Sequence, residues 1–136
     1  MNNAPMQNDV QSQKRIRVVC ALLEQDGCVL LAQRGKGMRH PLQWEFPGGK
    51  VHAGESDEDA LRRELREELA IEIDVLAHMP AVTHDYPDIR IELVPIRCKI
   101  RSGSIMLQEH AAVAWVTPAD ACAMDLVEAD RAIAFI

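Results

Sequence analysis

The sequence lacks the long apolar runs and the excess of basic residues that would indicate membrane or nucleic-acid binding. No apolar run approaches the ~18 residues that a transmembrane helix needs, and the polar, amide-rich start does not resemble a signal peptide. Fifteen Lys and Arg against 21 Asp and Glu residues give a net charge of −6. This acidic balance argues against nucleic-acid backbones and anionic membranes as general partners. We therefore expect a cytoplasmic protein, and the charge still allows a small phosphorylated ligand held by a metal ion.

The sequence also lacks paired cysteine motifs. The four cysteines, Cys20, Cys28, Cys98 and Cys122, include no CxxC pair, and each lies in a mostly apolar run. This pattern predicts reduced, buried cysteines rather than a disulfide framework or a zinc site.

The chain has 136 residues, which allows one compact domain. We expect a flexible tail over 1–14, where little can be buried, and a single domain over 15–136. The stretch SDEDALRRELREEL predicts a helix over 56–69 with Ser56 as a capping residue. Apolar runs predict strands over 16–23, 28–33, 71–78, 90–100 and 111–116.

Turns and short helices complete this assignment. Turns are predicted at Asp26-Gly27, THDYPD, RSGS and TPAD, and the glycine-containing stretch 34–55 is predicted to be a loop. Two short helices are predicted over 119–124 and 128–135. Strands mixed with one long helix and short terminal helices indicate an α+β protein, an α/β/α sandwich around a mixed sheet.

Three glutamates of the predicted helix fall on one face. At about 100° per residue, Glu64, Glu67 and Glu68 lie within an arc of roughly 100°. A neighbouring stripe, predicted to pack on the core, contains Leu61, Leu65 and Leu69. Clustered carboxylates repel one another unless a cation neutralises them, and Mg²⁺ prefers oxygen ligands. The spacing suits a divalent metal site at the rim of the domain, but for such a helix taken alone a solvated surface with Glu–Arg pairs is the more common case.

The residues before the helix extend this pattern. From Gly49 to Ile71 the chain reads GKVHAGESDEDALRRELREELAI, which matches G-x5-E-x7-R-E-U-x-E-E-x-G-U (U apolar) except at Ala70. This segment resembles the Nudix box, the signature of the Nudix hydrolases, which use divalent metal to hydrolyse a nucleoside diphosphate linked to another group. We expect Ala70 to need no left-handed conformation, so that the helix ends slightly differently and no ligand is lost.

The resemblance implies a metal site and a catalytic set. Glu64, Glu67, Glu68 and the carbonyl group of Gly48 are implied to bind Mg²⁺ or Mn²⁺. Glu109, in LQEHAAVAW, matches a further carboxylate that binds metal or orients the attacking water, although on its own it would be interpreted as a surface residue. Arg63 is implied to orient the glutamates through charge-assisted hydrogen bonds.

The resemblance also implies a nucleotide pocket, since WEFPGGK, LAQRGKG and VEADRAI are similar to segments of the MutT-type and CTP pyrophosphohydrolases. The residues implied to meet phosphate or base are Arg34, Arg39, Glu45, Phe46, Pro47, Gly48 and Asp130. Asp130 stands where 8-oxoguanine-reading members carry asparagine and the CTP branch carries aspartate. As an ionised acceptor it would suit the cytosine 4-amino group or the N7–H of 8-oxoguanine, and the preferred base stays open.

The expected reaction is hydrolysis of a ribo- or deoxyribonucleoside triphosphate to the monophosphate and pyrophosphate, with water attacking the β-phosphorus. Its expected role is the removal of oxidised or non-standard nucleotides. One alternative is a Nudix-fold sensor that binds nucleotide without hydrolysing it, and another is an acidic helical interaction module that needs no metal. We expect a monomer or homodimer with no nucleic-acid or membrane partner, and we expect the five histidines, which show no ligand spacing, to lie in loops or on the surface.

Overall fold

The computed structural model describes residues 14–133. In that part of the chain, eight strands form one mixed sheet, and helices cover both of its faces. The elements are β1 (Lys14–Gln25), β2 (Cys28–Gln33), β3 (Trp44–Glu45), β4 (Gly48–Lys50), α1 (Asp57–Leu69), β5 (Glu72–His78), β6 (Val82–Asp85), β7 (Ile89–Ser102), β8 (Ala112–Val116), α2 (Pro118–Cys122) and a 3-10 helix (Glu128–Ala132). Lys14 begins β1, and the rest of the expected tail lies outside the described residues.

Strand β1 organises the sheet. It runs parallel to β7, from the pair Lys14 and Ile89 to the pair Leu23 and Cys98. It also pairs antiparallel with β2 and β4, while β2 carries β3 and β8, and β7 carries β5 and β6. Because β4 pairs with the middle of β1, the glycines of β4 lie at the centre of the sheet.

The two faces of the sheet bury different helices. Successive side chains of a strand point to opposite faces, so Val19 packs towards α1 and Cys20 packs towards α2 and the 3-10 helix. The predicted leucine stripe of α1 is fully buried in the first of these clusters, and each such leucine contributes roughly 1.5–3 kcal/mol through burial. The α/β/α sandwich predicted from the sequence is therefore confirmed.

Helix α1 begins as predicted and ends differently. The Ser56 side chain accepts a hydrogen bond from the Asp59 N–H at 3.1 Å, which satisfies one free donor of the first turn. At the other end Ala70 has φ 60° and ψ 36°, the left-handed conformation, and its N–H donates to the Arg66 carbonyl at 3.1 Å. The expectation that alanine would avoid this conformation is wrong, because the capping geometry is kept at the cost of strain.

The other differences arise where tertiary pairing outweighs local sequence. The predicted turn at THDYPD overlaps β6, because pairing with β7, for example of Val82 with Leu93, holds this polar segment as a strand. The stretch 34–55 contains the short strands β3 and β4. The second terminal helix is a 3-10 helix over Glu128–Ala132, and the end of the predicted range, 134–135, lies outside the described residues.

The cysteines are all unpaired, as predicted, but they are not all buried. Cys20 and Cys98 are buried, Cys28 is half-buried and Cys122 is exposed. The expectation of burial is therefore wrong for Cys122, which lies at the end of the surface helix α2. Within residues 14–133, no helix is long and apolar enough to cross a membrane.

Candidate active site

A cleft of about 550 Å³ opens between α1, β4, the middle of β1 and the segment before β8. Its lining includes most of the residues that the sequence singles out: Arg34, Glu45, Phe46, Gly48, Arg63, Glu64, Glu67, Glu68, Glu109 and Asp130. An adjoining cavity of about 390 Å³ shares Arg34, Glu45 and Asp130 with it and is also lined by Arg39. We call the first the inner lobe and the second the outer lobe. Pro47 lines neither of these lobes; it is buried, and its carbonyl accepts a hydrogen bond from the Ala21 N–H at 2.8 Å.

Glu64 and Glu68 form a repelling pair at the inner wall of the cleft. Among the described residues, the buried Oε1 of Glu68 has no hydrogen-bond partner. Burial, then the hydrogen bond and charge of Glu64, raise the pKa of Glu68 to about 10, although a hydrogen bond from the Gly48 backbone works in the opposite direction. When no cation lies between the two carboxyl groups, the pair therefore retains a proton at neutral pH.

Arg63 holds the acidic residues around this pair. Its Nη1 donates to Glu64 at 2.9 Å and to Glu67 at 3.0 Å, and its Nη2 donates to the Lys50 carbonyl at 3.0 Å. Its Nε and Nη2 also bind both oxygens of Glu55, at 2.7 and 2.9 Å. The guanidinium group lowers the pKa of Glu55 to about 2 and has its own pKa raised by the same contacts. One side chain thus ties α1 to β4 and to the loop between them.

The two glycines of β4 allow its backbone to approach α1 and β1 closely. A Cβ atom on Gly49 would lie 2.5 Å from Cδ of Glu64, and one on Gly48 would lie 2.0 Å from the Val19 carbonyl oxygen. Neither distance is compatible with a side chain, and at Gly48 the obstacle is backbone that cannot move aside. Gly49 therefore permits the close contact between β4 and Glu64, and Gly48 permits the close pairing of β4 with β1.

These residues suit a divalent cation. In the described part of the chain, no three acidic, histidine or cysteine side chains are gathered closely enough to hold an ion as they stand. Glu67 is half-exposed and bound to Arg63, and Glu109 is exposed at the other side of the lobe. The available donors are all oxygen atoms, and the unpartnered, buried Oε1 of Glu68 needs a positive partner. Oxygen-rich sets of this kind are what hard cations such as Mg²⁺ prefer.

Charged side chains meet where the two lobes join. Glu45 accepts a hydrogen bond from Nη1 of Arg34 at 2.7 Å through one oxygen, and its other oxygen lies 2.7 Å from Nε2 of His110. Nε of Arg34 donates to the Arg39 carbonyl, so the guanidinium group predicted to meet phosphate or base is already engaged by the protein. Arg39 itself is exposed at the outer lobe.

Asp130 lies beside this group and is only 6% exposed. The Phe46 N–H donates to its Oδ2 at 2.8 Å. Burial, and secondarily the charge of Glu45, raise the pKa of Asp130 to about 7 against the opposing effects of Phe46 and Arg34. With a pKa near 7 this carboxyl group is only partly ionised at neutral pH, so the expected acceptor-only role belongs to its ionised form, while the protonated form can also donate. Phe46 is buried in the core cluster behind it.

His110 is a buried residue of the cleft that the sequence did not single out. The histidines were predicted in loops or on the surface, and His110 does lie in the loop before β8. Its side chain is nevertheless only 3% exposed and lines the inner lobe. Its partner Glu45 is 65 residues away in the chain, so no local spacing could have connected the two.

The chain is similar to known proteins in both sequence and structure. A model of the NUDIX domain matches residues 13–135. The CTP pyrophosphohydrolase of Escherichia coli K12 is 39% identical over 117 residues, which cover 86% of this chain and 87% of the relative. The 8-oxo-dGTP diphosphatase of Proteus vulgaris is 34% identical over 85 residues, 62% of this chain and 76% of that protein. A crystal structure of a MutT protein from Methanosarcina mazei has a TM-score of 0.78 and 25% identity, covering 88% and 89% of the two chains.

Proposed function

This chain belongs to the Nudix family, and on that premise we propose that it is a metal-dependent nucleoside triphosphate pyrophosphohydrolase. The reaction converts a ribo- or deoxyribonucleoside triphosphate and water into the monophosphate and pyrophosphate. Its role is to remove oxidised or non-standard nucleotides from the nucleotide pool. The names of the relatives, a CTP pyrophosphohydrolase and an 8-oxo-dGTP diphosphatase, support this reaction and two candidate bases.

The observation that carries the proposal is the half-buried Glu64–Glu68 pair, with the buried Oε1 of Glu68 unpartnered among the described residues and the Gly48 backbone beside it. Glu64, Glu67, Glu68, Glu109 and the Gly48 carbonyl would hold the divalent cation, which we propose to be Mg²⁺ or Mn²⁺. When bound, such a cation neutralises phosphate charge and lowers the pKa of a water molecule at the site. A binding module without catalysis would gain nothing from keeping these repelling carboxylates together.

The protein side chains contribute position and charge. Arg63 fixes Glu64 and Glu67 relative to β4 and so acts as a positioning residue for the acidic face. Glu109 lines the same lobe from the segment before β8 and would orient water or complete the cation site. Phosphate and base contacts are assigned to the residues around the junction of the lobes: Arg34, Arg39, Glu45, Phe46, Gly48 and Asp130. Pro47 supports this loop from the core side through its bond to Ala21.

Base recognition is assigned to Glu45 and Asp130, at the junction of the two lobes. Glu45 and Asp130 line both lobes, so a base lying at the junction meets two carboxyl groups. Carboxylates accept hydrogen bonds from exocyclic amino groups and ring N–H groups. This favours a base that presents such donors, as cytosine and 8-oxoguanine do, over one that presents only carbonyl oxygens at the same edge. We propose a cytoplasmic enzyme that acts on free nucleotides as a monomer or homodimer.

A substrate screen tests the proposal. Pyrophosphate release is measured for ordinary, oxidised and methylated ribo- and deoxyribonucleoside triphosphates, with Mg²⁺ or Mn²⁺ and with excess EDTA. We expect release only with the divalent cation and for a limited set of bases. Nucleotide binding without release of pyrophosphate from any substrate would indicate a sensor instead, and activity in excess EDTA would contradict the metal site.

A further inference from the structure

His110 lines the inner lobe, and among the described residues its ring has one polar partner. Its Nε2 is 2.7 Å from Oε2 of Glu45, and the other oxygen of Glu45 is held by Arg34 at the same distance. The Glu45 carboxyl group is thus gripped on both oxygens, by a guanidinium group on one side and an imidazole ring on the other. Glu45 lines both lobes, so this grip sets how it faces a bound base.

The hydrogen-bond roles follow from the surroundings of the ring. Nδ1 of His110 is buried and has no partner among the described residues. A proton on Nδ1 alone would leave a buried donor unpaired and would place the Nε2 lone pair against a carboxylate oxygen. A proton on Nε2 donates to Glu45 instead. The imidazole group is therefore the donor, and Glu45 is the acceptor.

The segment that carries His110 is itself fixed. The Ala111 N–H donates to the Gln33 carbonyl at 2.8 Å, which anchors the segment to the end of β2. A Cβ atom on Gly35 would lie 2.6 Å from the Glu109 carbonyl oxygen, so the loop after β2 packs directly on the same segment. These backbone contacts fix the segment that carries the ring. The ring can therefore restrain the side chain of Glu45, which has three rotatable bonds of its own.

We infer that His110 is a positioning residue that orients the Glu45 carboxylate through an Nε2–H hydrogen bond and thereby sets the base discrimination of the enzyme. This inference rests on the proposed function. A glutamate free to rotate would still present negative charge to the cleft but would discriminate less between bases, since directional hydrogen bonds depend on fixed acceptors.

Two variants and one matched control test the inference. His110→Leu removes the donor and keeps an apolar side chain, whereas His110→Gln keeps an N–H donor near the Nε2 position. His78 forms a similar pair with Glu58, at 2.6 Å, outside the lining of the cleft, so His78→Leu controls for the loss of a His–Glu pair. Dissociation constants are measured for CMP, UMP and 8-oxo-dGMP, and kcat/KM is measured for the matching triphosphates.

The expected result is a change in selectivity rather than a uniform loss. In His110→Leu the ratio between the preferred and the least preferred base should fall roughly tenfold or more. It should be largely restored in His110→Gln and unchanged in His78→Leu. In the wild-type protein, ¹⁵N NMR should place the proton of the His110 ring on Nε2, and Glu45→Gln should shift that nitrogen signal.

The other outcomes distinguish a failure of the inference from a failure of the proposed function. An unchanged base ratio in His110→Leu, with hydrolysis intact, would overturn the inference and leave the proposed function standing. An equal fall in the leucine and glutamine variants would assign the effect to packing and also overturn it, as would a proton found on Nδ1 alone. A wild-type protein that separates the monophosphates but hydrolyses no triphosphate would contradict the proposed function, while the loss of that separation in His110→Leu would still support the inference.

Discussion

Asp130 should make the stability of this protein fall as the pH rises through neutrality. Its carboxyl group is 6% exposed and its pKa is raised to about 7 in the fold. An acid whose pKa is raised on folding contributes most below its ordinary pKa, near 4, and that contribution is lost as the pH rises through the folded value. Asparagine has nearly the same shape, can accept the Phe46 N–H bond and does not ionise, so Asp130→Asn removes the effect without removing the contact.

The magnitude follows from the two pKa values. For a group that titrates near 4 when unfolded and near 7 when folded, linkage predicts that wild-type stability falls by about 3 kcal/mol between pH 5 and pH 8.5 relative to the asparagine variant. For a domain of this size that corresponds to roughly 10 °C in Tm. The Tm of the variant should therefore rise steadily relative to the Tm of the wild-type protein as the pH increases, with the steepest change below pH 7.

The assay is thermal unfolding of both proteins at half-unit steps from pH 5 to pH 8.5. Asp125→Asn is the matched control, because Asp125 lies on the same segment with its side chain 69% exposed, and its Tm difference should stay flat. A Tm difference between Asp130→Asn and the wild-type protein that does not change with pH would refute the reasoning, since it would mean that Asp130 does not titrate in this range.

Three further outcomes follow from the site and from helix α1. Ala70→Gly should raise stability by about 1 kcal/mol in denaturant unfolding, because glycine adopts the left-handed cap without the strain that alanine bears; no gain would argue against that cap. Arg63→Lys should weaken the apparent affinity for Mg²⁺ in activity titrations by roughly 10–100-fold, since lysine cannot hold Glu55, Glu64 and Glu67 together, and an unchanged affinity would remove its positioning role. Gly49→Ala should lower kcat by more than tenfold, because its Cβ would displace Glu64, and full activity would show that the contact is not needed.

Much of the fold is readable from the sequence because it depends on local patterns. The leucine stripe of α1, the Ser56 cap and the Asp26-Gly27 turn each follow from neighbouring residues, and the structure has all three. Strand β6 could not be predicted in this way. Its polar residues become a strand only because β7 offers a partner, and that partner is fixed by the long parallel pairing of β7 with β1.

The candidate site likewise has a part that follows from local sequence and a part that depends on distant contacts. Glu64, Glu67 and Glu68 share a helix face, so their proximity to one another follows from helix geometry and the sequence alone predicts it. The environment of Asp130 depends on burial and on the charge of Glu45, which lies far away in the chain, so a pKa near 7 could not be predicted. The contact between His110 and Glu45 joins the loop before β8 to strand β3, which are distant in the chain, and was missed for the same reason.

The central claim is that the protein uses the acidic face of α1 to hydrolyse nucleoside triphosphates to monophosphate and pyrophosphate. The most direct measurement is ³¹P NMR of the best substrate from the screen, followed with Mg²⁺ for the wild-type protein and for Glu68→Gln. Burial and Glu64 raise the pKa of Glu68 to about 10, which disfavours its charged form in the free protein, so glutamine should fold as well as the wild-type residue. We expect monophosphate and pyrophosphate from the wild-type protein and a rate lower by orders of magnitude in the folded variant. Diphosphate and inorganic phosphate as products, or an undiminished rate in Glu68→Gln, would contradict the account.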